Sequence, residues 1–342
     1  MGQVMTTREG FSQLVSEQIL PPGSIVGLET GTSSKWVSRY LSSLGLHPVV
    51  IDAREVRVKS PHKGRKSDRR DAFEICDGLR RGIFTSLVYV PNSGVDRLRV
   101  LLSRRRHFVK VRTMQTGAAK FLLRSEGLSA EAATLTTECA WEKLLARETL
   151  ACLRGLLEPH AAMWRQANET VQRLNEELVI ASKPYDETLR RLQTVPGIGF
   201  LTAAAFLAVV ADPSRFADSD ALVGYVGLAP SVYDSGERER HGSITKQGSS
   251  LLRGMLCEAA IHAARPRHPL NPYFARVAAR GGYKKAVIFV AQRLTRILWQ
   301  MWRKQEDFDP EKLNVVRETH QRTRTYYYRL RRPEERNTPP NA

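Results

Sequence analysis

Acidic residues are scarce in this chain. Its 342 residues hold 35 Asp and Glu against 53 Lys and Arg, a formal net charge of +18. That deficit calls for a polyanionic partner, and nucleic acid is the first candidate. Long apolar runs are also missing, which excludes an ordinary membrane-spanning helix, since that needs about 18 or more such residues. The four cysteines (Cys76, Cys139, Cys152 and Cys257) are scattered and form no C-x-x-C. Their spacing argues against a disulfide framework or a zinc site and fits a reducing cytoplasm. Met1 to Gln18 is polar and has no apolar block of the signal-peptide kind.

What is present reads first as α/β. Ser24 to Leu28 is a short apolar run after Pro21-Pro22-Gly23, and His47 to Ile51 is a second. Both predict buried strands. Between them, Trp36, Val37, Tyr40 and Leu41 recur at helical spacing. Leu87 to Val90, closed by Pro91, predicts a further short strand, so the spacing implies a mostly parallel sheet. Arg54 to Lys66, rich in Lys, Arg, Gly and Pro, reads as a loop. Val95 to Glu126 lacks proline and has Gly117 as its one glycine, which predicts a long helix carrying Arg104, Arg105 and Arg106. Residues 130 to 190 read as helical too. There, Trp164, Ala167, Val171, Leu174 and Leu178 step by three and four, a heptad seam that fits either an intramolecular hairpin or a dimeric coiled coil.

Two carboxylates stand out in a basic stretch, Lys66-Ser67-Asp68-Arg69-Arg70-Asp71-Ala72. Residues at i and i+3 share a helix face, so Asp68 and Asp71 would point to one place. Ser67 is positioned as an N-cap. The pair suits either a helix start that favours the macrodipole or a cation site. Glu29 ends the first predicted strand, where α/β sheets gather functional groups. Phosphoryl transfer through magnesium needs several converging carboxylates, which Glu29, Asp68 and Asp71 could supply.

The second half carries Thr194-Val195-Pro196-Gly197-Ile198-Gly199 before an apolar helix. Gly197 and Gly199 permit a tight helix-hairpin-helix-like turn whose amides could face a phosphate, and a purely structural αα-hairpin fits as well. Ser235-Gly236 follows, with Arg238, Arg240 and Lys246 close in sequence. A serine hydroxyl attacking a phosphodiester needs activation and cationic charge at the phosphoryl oxygens. Ser-Gly is also a common turn dipeptide.

The ordered combination is more specific than its parts: E-T-G-T at Glu29 to Thr32, K-S-D-R-R-D-A, T-V-P-G-I-G, F-A-D-S-D-A-L-V-G-Y-V-G-L-A-P at Phe216 to Pro230, then S-G…G-S-I-T-K-Q-G at Ser235 to Gly248. It resembles bacterial insertion-sequence transposases that join a RuvC-like DEDD domain to a C-terminal serine transposase domain, over roughly residues 7 to 310. The resemblance implies a ribonuclease-H-like domain over 1–125, a helical coiled-coil connector over 126–190, a small, mostly helical serine domain over 191–310 and a basic tail over 311–342. It implies a Mg2+ site at Glu29, Asp68 and Asp71, with Ser235 as the nucleophile that forms a covalent phosphoserine link to DNA. It also implies a structured guide RNA and assembly as dimers or tetramers. Gly197, Gly199, Arg238, Arg240, Lys246, Arg104, Arg105 and Lys66 are the expected nucleic-acid contacts.

The family's first aspartate lies on a strand preceding the segment that matches Thr6 to Val15, so the expectation is a chain lacking that strand and that acid. Asp52, at the end of the second strand, is a lesser candidate for its place. Two alternatives follow: an inactive remnant that still binds nucleic acid, and a junction nuclease using the carboxylates alone.

Overall fold

The computed structural model describes residues 4–59, 67–128, 135–235 and 238–313. They fall into two compact units, residues 1–92 and 93–342.

In the first unit, α1 (Arg8–Ser16), β1 (Ile25–Glu29), α2 (Ser34–Ser43), β2 (His47–Ile51), α3 (Ala53–Lys59) and α4 (Asp68–Arg80) follow in order. β1 and β2 pair in parallel, from Ile25 opposite His47 to Glu29 opposite Ile51. Side chains alternate across a strand, and the two faces are used differently. Val26 and Leu28 join Phe11, Trp36, Val37, Leu41 and Leu46 under α1 and α2. Gly27 meets α4, where an added Cβ would lie 2.5 Å from Leu79 Cδ1 and 2.6 Å from Ile75 Cγ2. Helices therefore cover both faces of β1, an arrangement consistent with a ribonuclease-H-like fold.

Two sequence expectations need correction here. Arg54 to Lys59 is helical rather than loop, and residues 60–66 lie outside the described residues. Asp52 starts α3 by accepting the Arg54 amide at 2.7 Å, and Val56 supplies a buried anchor. Leu87 to Val90 makes one antiparallel bridge, Leu87 to Ile51, instead of a strand of a parallel sheet. The Ser86 carbonyl accepts the Asp52 amide (3.0 Å) and the Val88 amide donates to Val50 O (2.7 Å), while Pro91 has no amide to extend the pairing; just ahead, Glu55 accepts the amides of Thr85 (3.0 Å) and Ser86 (2.6 Å).

The Lys59 ammonium, together with those amides, holds the Glu55 carboxyl down at about 2. The folded value lies below the unfolded one, so the contact's full contribution is present above the ordinary carboxylate range and is lost as pH falls through about 2. Amide-exchange protection at Thr85 and Ser86 should persist well below pH 4 and then collapse. Glu55→Gln should weaken it at neutral pH and flatten its dependence on acid. Wild-type protection in that variant would remove Glu55 as the anchor.

The second unit opens with α5 (Ser93–Ser125), whose 33 residues reach about 50 Å. After α6 (Glu138–Leu145), α7 (Ala151–Ser182) returns antiparallel to α5. Polar contacts fix the register: Arg97 to Glu177 (3.2 Å), Arg105 to Asn175 (2.6 Å), Arg112 to Asn168 (2.7 Å) and Gln115 to His160 (2.7 Å). Trp164, Ala167, Val171 and Leu178 are buried along this hairpin, so the heptad seam has a partner within its own chain. Trp141 and Trp164 close its far end.

The other end of the hairpin enters a helical core. α8 (Asp186–Gln193), α9 (Phe200–Val210), α10 (Ser219–Val226), α11 (Ser250–Ile261), α12 (Asn271–Gly281) and α13 (Tyr283–Lys304) surround it. α9 is apolar on almost every face, and Ala203 to Ala208 are fully buried, as such a pattern requires. A ribbon of β3 (Pro230–Ser235) and β4 (Arg238–Ile244) extends between α10 and α11 in sequence. Among the described residues no helix is long and apolar enough to cross a membrane.

Candidate active site

Glu29 stands exposed at the carboxyl end of β1. Thr30 ties this end to its neighbour: its amide donates to Ile51 O (3.0 Å) and its Oγ1 accepts the Ala53 amide (2.9 Å). α4 begins as the sequence predicts, with Ser67 Oγ accepting the Arg70 amide at 3.4 Å. Asp68 and Asp71 both fall in its first turn, Asp68 exposed and Asp71 half-buried. Their oxygens are hard donors suited to a hard divalent cation, so the residue types fit such an ion. Among the described residues, however, no three acidic, His or Cys side chains already converge on one metal position. Asp52, a lesser candidate on sequence, is engaged as the cap of α3.

Ser235 ends β3, and the backbone register sets it opposite Arg238, with Tyr233 opposite Arg240. The sequence expectation thus gathers a serine and two arginines on adjacent strands of one ribbon.

The base of the ribbon is clasped tightly. α10 ends at Gly227 in the left-handed region (φ 79°), and the strap Thr245 to Gly248 lies across that turn. The Thr245 amide donates to Ala229 O (2.9 Å) and the Lys246 amide to Gly227 O (3.1 Å). Arg253 Nη1 donates to both Val226 O (3.0 Å) and Gln247 O (3.1 Å), pinning the two sides together. Gln292 Nε2 reaches Leu228 O from the core at 2.7 Å. Lys246, exposed, adopts φ 55°, a strained value for a residue with a Cβ. Arg253 and Gln292 escaped the sequence reading. Their one signal is a long polar side chain directly after an apolar run, Leu251-Leu252 before Arg253 and Ala286 to Ala291 before Gln292.

A Cβ on Gly227 would sit 1.9 Å from Gln247 O, and one on Gly248 would sit 2.0 Å from Tyr225 O. Gly227→Ala therefore has to push the strap away and also carries about 1–2 kcal/mol of left-handed backbone cost. We expect the second unit to melt roughly 4–10 °C lower. If the ribbon positions a reacting group, activity should fall on the order of 100-fold, as for a displacement of about 1 Å. Unchanged melting would contradict the clasp.

The other motif residues divide between structure and surface. Asp218 caps α10 by accepting the Ala221 amide (2.8 Å), while Phe216, Leu222, Val223, Val226 and Leu228 are buried. Gly197 takes φ 86°, where a Cβ would lie 3.2 Å from Ala259 O, so the turn must approach α11 closely. His268 holds it from the other side. Its Nε2 donates to Pro196 O (3.0 Å) and its Nδ1 accepts the Leu270 amide (3.1 Å), an assignment that requires neutral imidazole. Burial lowers its pKa in the same sense. Gly197 and Gly199 are exposed, and no side chain caps α9. Arg104 is exposed on α5, whereas Arg105 is half-buried and turned to Asn175. Arg105 is thus committed to the hairpin interface. Lys66 and the basic tail after Val316 lie outside the described residues.

Residues 189–275 match the family described as "Transposase IS116/IS110/IS902 family". Residues 1–125 match the family DEDD_Tnp_IS110, described as a transposase. The chain is 27% identical over 319 residues to the transposase for insertion sequence element IS1111A of Coxiella burnetii, covering 89% of this chain and 85% of that protein. It is 28% identical over 267 residues to the transposase for insertion sequence element IS1328 of Yersinia enterocolitica, covering 74% of this chain and 75% of that protein. Over 121 residues it is 32% identical to the pilin gene-inverting protein of Moraxella lacunata, covering 34% of this chain and 38% of that protein.

Proposed function

The chain belongs to the IS110/IS116 family of transposases, and from that membership and the site geometry we infer that it recombines DNA at the ends of an insertion sequence through a serine nucleophile. The observation that carries this reading is the ribbon: Ser235 paired with Arg238 on an arm whose base is clasped by Gly227, Gly248 and Arg253. Ser235 Oγ attacks a backbone phosphorus and gives up its proton. The departing deoxyribose oxygen takes a proton, and a phosphoserine joins protein to DNA. Arg238, Arg240 and Lys246 offset charge developing on the phosphoryl oxygens.

The DEDD domain points to dependence on a divalent metal. We assign the ion as Mg2+, with Glu29, Asp68 and Asp71 as the residues that would hold it. When bound, it would polarise a phosphoryl oxygen. The exposed turn at Gly197 and Gly199 and the exposed Arg104 would track phosphate backbone of DNA or of a structured guide RNA. A second copy of the chain is supported by α5, where Val100 (49% exposed), Met114 (57%) and Phe121 (71%) lie seven or fourteen residues apart on the solvent side.

The test is a reconstituted reaction of the full chain with donor and target duplexes, element-derived RNA and Mg2+. The account expects strand-exchange product that disappears on chelation and returns with added Mg2+. Product that is indifferent to chelation would remove the acidic site from the reaction. No product under any of these conditions would favour a protein that only binds.

A further inference from the structure

From Ala259 to Gln305 the chain has no Asp or Glu, yet it holds ten Lys and Arg. One of them, Arg296, is offset from outside the run by Asp220, at 2.7 Å. The remainder are not spread evenly. Arg276 and Arg280 lie four residues apart on α12, hence on one helix face. Lys284 and Lys285 follow in the first turn of α13, immediately beyond the Gly281-Gly282 corner. The corner folds Lys285 back onto the end of α12: its aliphatic stem lies over Gly281, next to Arg280 in sequence, where an added Cβ would be 2.5 Å from Lys285 Cδ. All four cations are exposed. None has an acidic partner among the described residues.

This arrangement is costly for an isolated protein. Like charges four apart on a helix repel. Cations in the first turn of α13 also face the positive end of its dipole, where acids are favoured. The Arg276 guanidinium lies over the Tyr273 ring (5.6 Å) and the Lys285 ammonium over Phe289 (5.9 Å), cation–π contacts that steady the charged ends while both side chains stay exposed. A surface held together in this way suits a regular array of negative charge.

We propose that the α12–α13 corner, through Arg276, Arg280, Lys284 and Lys285, is a docking surface for the phosphate backbone of duplex DNA. The inference rests on the reading that this chain acts on DNA, but it concerns residues outside the ribbon and the acidic site. Duplex DNA is the occupant because the four exposed cations complement an extended array of phosphates rather than a single anion. The contacts would anchor the duplex without reading its sequence.

Fluorescence anisotropy with the full chain and labelled duplex, titrated at several salt concentrations, tests this directly. The triple variant R280Q/K284Q/K285Q should lower the slope of log affinity against log salt by about 2–3. Binding near physiological salt should weaken on the order of 10- to 100-fold. The loss should be equal on element-end and scrambled duplexes. R280K/K284R/K285R, which keeps the charges, should retain the wild-type slope and thereby separate charge from folding. A wild-type slope in the Gln variant would overturn the proposal, as would a loss confined to RNA. The readout is equilibrium binding, so it is independent of chemistry. A wild-type chain that shows the charge-dependent slope but exchanges no strands would sink the recombinase reading and leave this surface standing.

Discussion

Ser235→Ala is expected to leave no covalent protein–DNA adduct and no strand-exchange product, a loss on the order of a million-fold if the hydroxyl is the nucleophile. The substitution removes one oxygen from the last residue of β3, whose backbone stands in register with Arg238. The clasp at the base of the ribbon involves Gly227, Gly248, Arg253 and Gln292, none of which the change touches. Folding and DNA affinity should therefore remain at wild-type levels, and the lost step should be chemical. Gel separation after denaturation reads the adduct, and melting and anisotropy supply the controls. Cleavage that survives in Ser235→Ala would transfer the chemistry to the carboxylates and make the protein a junction nuclease.

Asp71→Asn is expected to reduce strand exchange by about 100- to 1000-fold, the scale seen when one preorganised electrostatic partner of a reacting phosphate is lost. Asn conserves volume, and the N-cap bond from Ser67 to the Arg70 amide does not involve the Asp71 side chain. α4 should stay packed on β1 through Ile75 and Leu79. Removing a negative charge should leave DNA affinity unchanged or slightly raised, because carboxylates repel phosphates. That opposition of signs, weaker chemistry with no weaker binding, distinguishes a metal ligand from a helix-start acid. A helix-start acid would instead cost about 0.3–1 kcal/mol of stability and no activity. Activity at the wild-type level would reduce Asp71 to that role.

Much of the architecture was legible because it rests on short-range physics. The strand at His47–Ile51, the helix from Asp68 with its Ser67 cap, and the long helix after residue 93 follow from apolar runs, capping chemistry and missing proline. What was not legible depends on contacts distant in sequence. The helix at Ala53–Lys59 looked like a basic loop because its buried anchor is the lone Val56 and its stabilising partners lie thirty residues on, at Thr85 and Ser86. Leu87 to Val90 has strand composition, yet Glu55 engages the backbone just ahead of it.

The site divides in the same way. Local motif order drew attention to Glu29, Asp68, Asp71 and Ser235. The clasp was invisible, because Arg253 and Gln292 reach carbonyls of Val226 and Leu228 from helices that follow the ribbon in sequence. Arg105 shows the opposite case. In sequence it is one of three equal arginines, but the hairpin turns it toward Asn175 and leaves Arg104 exposed.

The claim that Ser235 becomes joined to DNA is tested most directly by trapping the reaction of the wild-type chain with donor and target duplexes, digesting both components, and sequencing the nucleotide-bearing peptide by mass spectrometry. The account predicts a phosphodiester mass on the peptide containing Val232 to Arg238, with the modification at Ser235. A nucleotide on any other residue, or strand exchange with no protein-linked nucleotide, would contradict it.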